Sequence, residues 1–134
     1  MLDIQNFIDG SFTQNIDGES LDDFNPATAQ CIATIPRSQS ADVELAVSAA
    51  QSAQPGWTAL TLEQRAVWLD RIADALEEKT EHIARTESID TGKPIALARK
   101  VDAARSVSNF RFFASFGRQQ TEMTFEMEDA MNYV

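Results

Sequence analysis

At 134 residues, 43% of them hydrophobic, the chain is long enough for one domain burying roughly two-thirds of its unfolded surface, and its composition gives no sign of a second. A net charge of -10 argues against nucleic acid or an anionic membrane as a partner, because phosphate contacts need clustered Lys and Arg. The single cysteine, Cys31, excludes an internal disulfide and fits a cytoplasmic setting, and no basic leader or apolar run of ~20 residues marks export or a membrane span.

In chain order, Phe7-Ile8 and Ser11-Phe12-Thr13 flank Asp9-Gly10, which suits a two-residue turn with positive φ, so a hairpin is expected. Asp17-Gly18 offers a second turn before a strand from Ser20 to Phe24. Asn25-Pro26 closes that strand before another from Cys31 to Ile35, which makes residues 1–36 an extended β arm.

From Ser40 the period changes from two to 3.6. Val43, Ala46, Val47, Ala50 and Ala53 form one face, Ser40 is the expected N-cap, and Pro55-Gly56 the expected stop. Thr61-Leu62-Glu63-Gln64 has capping-box spacing ahead of a stripe of Leu62, Ala66, Leu69, Ile72, Ala73 and Leu76. Thr80 is placed to cap a continuation carrying Ile83, Ala84 and Ile89. Gly92 then ends the helix and Pro94 opens the next, expected to run to about Phe116, giving three principal helices over residues 40–117. Met123, Phe125 and Met127 alternate with polar residues as in a half-buried strand, and Met131 to Val134 read as the start of a returning one. The fold class is therefore mixed α/β.

The chemistry-bearing residues are sparse. The five glycines are isolated, and none begins the Gly-x-Gly run of a dinucleotide cradle. Cys31 lies in a strand without a nearby His or helix N-terminus to activate it, so it reads as small, buried and inert. His82, one turn after Glu78, lacks the further ligands of a zinc site, and the run Glu77, Glu78, Glu81 reads as solvated surface. Ser88 lacks a nucleophile-elbow setting, so no catalytic residue is assigned. Arg105 stands out: on a regular wheel it shares a face with Leu97, Val101, Ala104, Ser108, Phe112 and Phe116, while Arg99, Lys100 and Arg111 project elsewhere. A charge in that stripe needs a partner, and the plain structural reading is an arginine that snorkels to water or pairs with a core carboxylate. Phe112 and Phe116 serve equally as plain core.

Collinear marks give these elements a wider meaning. They are Asn6-Phe7-Ile8-Asp9-Gly10, Phe24-Asn25-Pro26-Ala27-Thr28, Ile32-Ala33-Thr34-Ile35-Pro36, Trp57, Arg65, Asp90-Thr91-Gly92-Lys93-Pro94 and Asn109-Phe110-Arg111-Phe112-Phe113-Ala114. In that order they resemble the aldehyde dehydrogenase superfamily over essentially the whole chain. Asn109 to Ser115 and Met131 to Val134 are most similar to the 2-hydroxymuconic and 2-aminomuconic semialdehyde dehydrogenases.

The resemblance implies that residues 1–120 are the N-terminal part of an NAD-binding domain and that 121–134 begin a β extension used between subunits of a homodimer or homotetramer. It also implies that the glycine motif, catalytic cysteine and general-base glutamate lie in sequence after Val134, so that this fragment alone is inactive and binds no NAD. In some members a monovalent cation is held by the aspartate matching Asp90 and by backbone carbonyls matching Asp23 and Phe24; the bland alternative for Asp90 is a helix-end residue bonded to the loop. The helix carrying Val101, Arg105 and Phe112 lines the substrate tunnel in the family, where an arginine matching Arg105 takes a substrate carboxylate through a two-pronged hydrogen bond. Asp102-Ala103-Ala104-Arg105 departs from the usual Asp-Ile-Pro-Arg yet keeps the arginine. A different class of function is a non-catalytic helical module that binds a partner through its C-terminal strand.

Overall fold

Asp9 (φ 51) and Gly10 (φ 75) both adopt the left-handed backbone that a tight hairpin turn requires. They join β2 (Asn6–Ile8) to β3 (Ser11–Thr13) in antiparallel register, with Phe7 opposite Phe12 and their rings edge to face at 5.1 Å. A second sheet has the order β1-β5-β4, built from β4 (Ser20–Asn25) and β5 (Gln30–Pro36) antiparallel and β1 (Leu2–Asp3) parallel to β5. Two-residue β1 has no alternation to read, so the sequence gives no sign of it. The computed structural model describes residues 2–119, 124–127 and 130–133.

Turn chemistry fixes the β4–β5 corner. Asn25 Oδ1 accepts the Ala27 N–H at 2.9 Å and the Asn25 carbonyl accepts the Ala29 N–H at 2.8 Å, which holds Ala29 at φ 55. Buried Asn15 secures the Asp17-Gly18 turn by donating to the carbonyls of Glu19 (2.9 Å) and Arg37 (3.2 Å).

α1 spans Ser40–Thr58, and its N-cap is Gln39, one residue earlier than expected. The reason is Asp42, a buried carboxylate that accepts the Gln39 N–H and the Ile16 N–H, each at 2.8 Å. Negative charge at that end also suits the helix dipole. Pro55 and Gly56 do not end the helix, because Gly56 is not left-handed and the Pro55 carbonyl still accepts the Ala59 N–H at 3.1 Å. Proline here forfeits a single bond, three residues from the terminus.

α2 (Leu62–Glu78) begins at the expected capping box, with the Gln64 N–H on Thr61 Oγ1 at 3.2 Å and the Thr61 N–H on Gln64 Oε1 at 2.9 Å. Thr80 starts a separate α3 (Thr80–Thr91) rather than capping a continuation; its hydroxyl donates back to the Glu77 carbonyl at 2.7 Å. The expected third helix is also composite. It comprises α4 (Ile95–Leu97), a π-helical segment over Ala98–Ala103 and α5 (Ala104–Arg118), so the regular wheel drawn from Leu97 to Phe116 does not hold before Ala104.

Buried hydrophobic positions among the described residues are small: Ala33, Ala66, Ala73, Ala84, Ala98, Ala103, Ala114 and Val107. The α2 stripe is partly covered, with Leu69 and Leu76 half-buried and Leu62 and Ile72 exposed. On α1 the expected stripe of Val43, Ala46, Val47, Ala50 and Ala53 is exposed throughout. α2 packs along α5, and α3 packs against the π segment and the edge of β4. β6 (Thr124–Met127) and β7 (Ala130–Tyr133) pair as an antiparallel hairpin, Thr124 opposite Tyr133. Met123 and Val134, which belong to the expected alternation and returning strand, lie outside the described residues.

Candidate substrate-facing helix and its corner

Gly92 ends α3 in the left-handed conformation (φ 73), its N–H on the Ser88 carbonyl at 3.1 Å. A Cβ placed there would come within 2.8 Å of Pro26 Cγ, so the corner rests directly on the β4–β5 turn. The two motifs Asn25-Pro26 and Asp90-Thr91-Gly92-Lys93-Pro94 are thus the two sides of one contact. Pro94 then sits at the N-cap of α4, and its carbonyl accepts the N–H groups of Leu97 (2.8 Å) and Ala98 (3.0 Å).

Lys93 closes the corner. Its ammonium lies 2.6 Å from Asp102 Oδ2 and 2.9 Å from Glu87 Oε1, with all three side chains about a third exposed. The hydrogen bond to Asp102, followed by that to Glu87, holds the lysine's pKa above its usual value. Ser88 Oγ donates to the Lys93 carbonyl at 2.7 Å. No linear signal announces this cluster, because only the wide π turn carries Asp102 back to Lys93.

Arg105 projects from the first turn of α5 on its exposed side, and among the described residues its guanidinium has no hydrogen bond or ion pair. The core-carboxylate alternative is therefore not realised. Phe112, seven residues on and so on the same face, is 61% exposed and stacks on Phe116 at 6.3 Å between centroids. Val101 is exposed within the π segment. Plain core is not what these aromatic side chains form within the described chain.

Asp90 is exposed at the end of α3, Phe24 is exposed and Asp23 half-buried. The β4–β5 register shifts between Asp23 and Phe24, an irregularity of the kind that frees backbone groups from a ladder. Among the described residues no three His, Cys, Asp or Glu gather as a metal site, and His82 and Glu78 are exposed. Glu77 and Glu81 are more than solvated surface, since they pair with Arg111 and with Arg85 and Arg99. Cys31 is half-buried rather than fully buried, its thiol 3.5 Å from the Ala33 carbonyl.

A β arm with an irregular edge, a helical corner resting on its turn and a helix that presents an exposed Arg105 make up the candidate site. The profile of the aldehyde dehydrogenase family covers residues 12–134, and the chain belongs to that family. The 2-aminomuconic semialdehyde dehydrogenase of Homo sapiens is 39% identical over 96% of this chain and 26% of that protein. The 2-hydroxymuconic semialdehyde dehydrogenase of Pseudomonas sp. (strain CF600) is 35% identical over 99% of this chain and 29% of that one. The NAD+ complex of the aldehyde dehydrogenase from Bacillus cereus superposes with a TM-score of 0.92 at 34% identity, over 98% of this chain and 27% of its own. The chain thus spans about a quarter of the length of the relatives it matches. No helix among the described residues is long and apolar enough to cross a membrane.

Proposed function

We propose that this chain supplies the N-terminal part of the cofactor-binding domain of a cytoplasmic, NAD-dependent aldehyde dehydrogenase acting on a carboxylate-bearing semialdehyde. The carrying observation is the Arg105 guanidinium, exposed and unpaired among the described residues on the α5 face that also carries exposed Phe112, in a chain whose relatives include semialdehyde dehydrogenases. Arg105 takes the substrate carboxylate by a two-pronged hydrogen bond, the apolar neighbours exclude water, and the aldehyde end points away to a cysteine elsewhere in the polypeptide. NAD is held outside these residues, and the chain by itself neither binds it nor reduces it. Residues 121–134 belong to the contact between subunits of a homodimer or homotetramer. A monovalent cation fits the hard oxygens available where Asp90 ends α3 and the Asp23–Phe24 bulge loosens β4.

The test is Arg105→Met in the complete enzyme. Loss of one charged hydrogen-bonding pair, worth about 1.5–3 kcal/mol, raises KM for a carboxylate-bearing semialdehyde about ten- to a hundredfold and leaves an uncharged aldehyde nearly unaffected. Equal effects on both aldehydes make Arg105 structural and overturn the substrate assignment.

A further inference from the structure

If Arg105 selects the substrate, the way α5 leaves the π segment matters, because Arg105 stands in the first turn of α5, ahead of the length that is packed and bridged to α2. In one continuous α-helix the buried positions Ala103, Val107 and Ala114 would extend backwards in steps of three and four to residues 99 or 100 and 96. Instead Arg99 and Lys100 are exposed, and Ala98 is wholly buried. Ala98 and Ala103 are five apart, the spacing of a π turn, and both pack with Ala84 of α3 in one cluster. The extra residue keeps both ends of the π segment against α3 while shifting the face that α5 shows outward.

Charged pairs hold both ends of this turn. Arg99, near its start, bonds Glu81 of α3 through Nε at 2.7 Å and Nη2 at 3.0 Å. Asp102, near its end, bonds Lys93, whose ammonium is steadied from the other side by Glu87. Ser106 Oγ donates to the Asp102 carbonyl at 2.9 Å, so the backbone at the π-to-α junction is held as well.

The geometry points to Lys93 as a positioning residue for substrate choice: by gripping Asp102 it fixes the wide turn, and with it the place of Val101 and the direction of Arg105. This rests on Arg105 as the carboxylate partner. Lys93 itself touches no substrate in this account; its effect passes through Asp102 and the turn.

Lys93→Met, Lys93→Arg and Arg105→Met, compared in the complete enzyme, test it. Lys93→Met raises KM for a carboxylate-bearing semialdehyde about tenfold, because a modest misplacement of the guanidinium is costly, while KM for an uncharged aldehyde and both kcat values stay within about twofold. Lys93→Arg keeps an ion pair with Asp102 and recovers most of the loss. By amide hydrogen exchange, Lys93→Met speeds residues 98–106 and leaves α2 unchanged, a readout that does not depend on Arg105. If Arg105→Met discriminates between the aldehydes and Lys93→Met does not, the Lys93 assignment falls alone. If Arg105→Met fails to discriminate, the shared basis falls, and unchanged exchange at the turn removes the mechanical claim too.

Discussion

α1 and the α2–α5 pair both carry apolar residues at helical spacing, more sharply so in the pair, and have opposite fates. α2 and α5 pack along each other, burying Ala66, Ala73, Val107 and Ala114, with Arg111 bridging Asp74 and Glu77 and Arg118 bridging Glu63 and Asp70 across the seam. α1 buries Asp42 alone, while Val43, Val47 and Trp57 face outward. A 3.6-residue period reports that a face is apolar; it does not report whether the covering surface is in the same stretch of chain. Here one face finds its partner among the described residues, and the other meets little more than β2 and the turn at Ile16.

That contrast can be broken first at the packed side. Gly92→Ala forces a side chain into left-handed backbone and against Pro26, and should cost about 2–4 kcal/mol in urea unfolding. Asp42→Ala leaves the Ile16 and Gln39 N–H groups without their carboxylate, which should cost about 2 kcal/mol and loosen the join between the β arm and α1. Arg118→Ala removes a partly exposed surface bridge and should cost about 1 kcal/mol or less, shrinking in high salt. On the unpacked side, Val47→Ser should shift the stability of this chain by no more than about 0.5 kcal/mol. A loss above about 1 kcal/mol there would show that α1 already has a covering partner within these residues.

The pH dependence sharpens the same picture. Glu81 is held below its usual 4.5, chiefly by the Arg99 hydrogen bond, so its stabilisation is present above that pH and fades as pH falls through the lowered value. Lys93 is held above its usual 10.5, so its contribution is complete below that pH and is lost as pH rises through the raised value. In alkali the Lys93 end of the π segment should therefore let go while the Arg99 end stays paired with Glu81. The stabilities of the native chain and of Lys93→Met in urea unfolding should converge as pH rises through the raised value.

Local chemistry made much of the fold legible. Asp9-Gly10 specified its hairpin, Thr61 and Gln64 their capping box, and Gly92 its left-handed stop, because each acts over a few residues. Whatever depended on distant partners stayed hidden. Asp42 looks like an ordinary first-turn acid until Ile16 and Gln39 converge on it, and Pro55 looks like a terminator until its carbonyl continues the helix. For the candidate site, Arg105 and Phe112 were readable as members of one face. Lys93 and Asp102 were not, since an inserted residue in the turn between them defeats any fixed helical spacing.

The most direct measurement is amide hydrogen exchange on this chain by itself and within the complete polypeptide. α2 and α5 should be strongly protected in both, whereas protection of α1 should be weak in the chain alone and rise at least about tenfold when the remaining polypeptide covers it. Equal protection of α1 in the two would contradict it, and would mean that these residues are a self-sufficient unit rather than one part of a dehydrogenase domain.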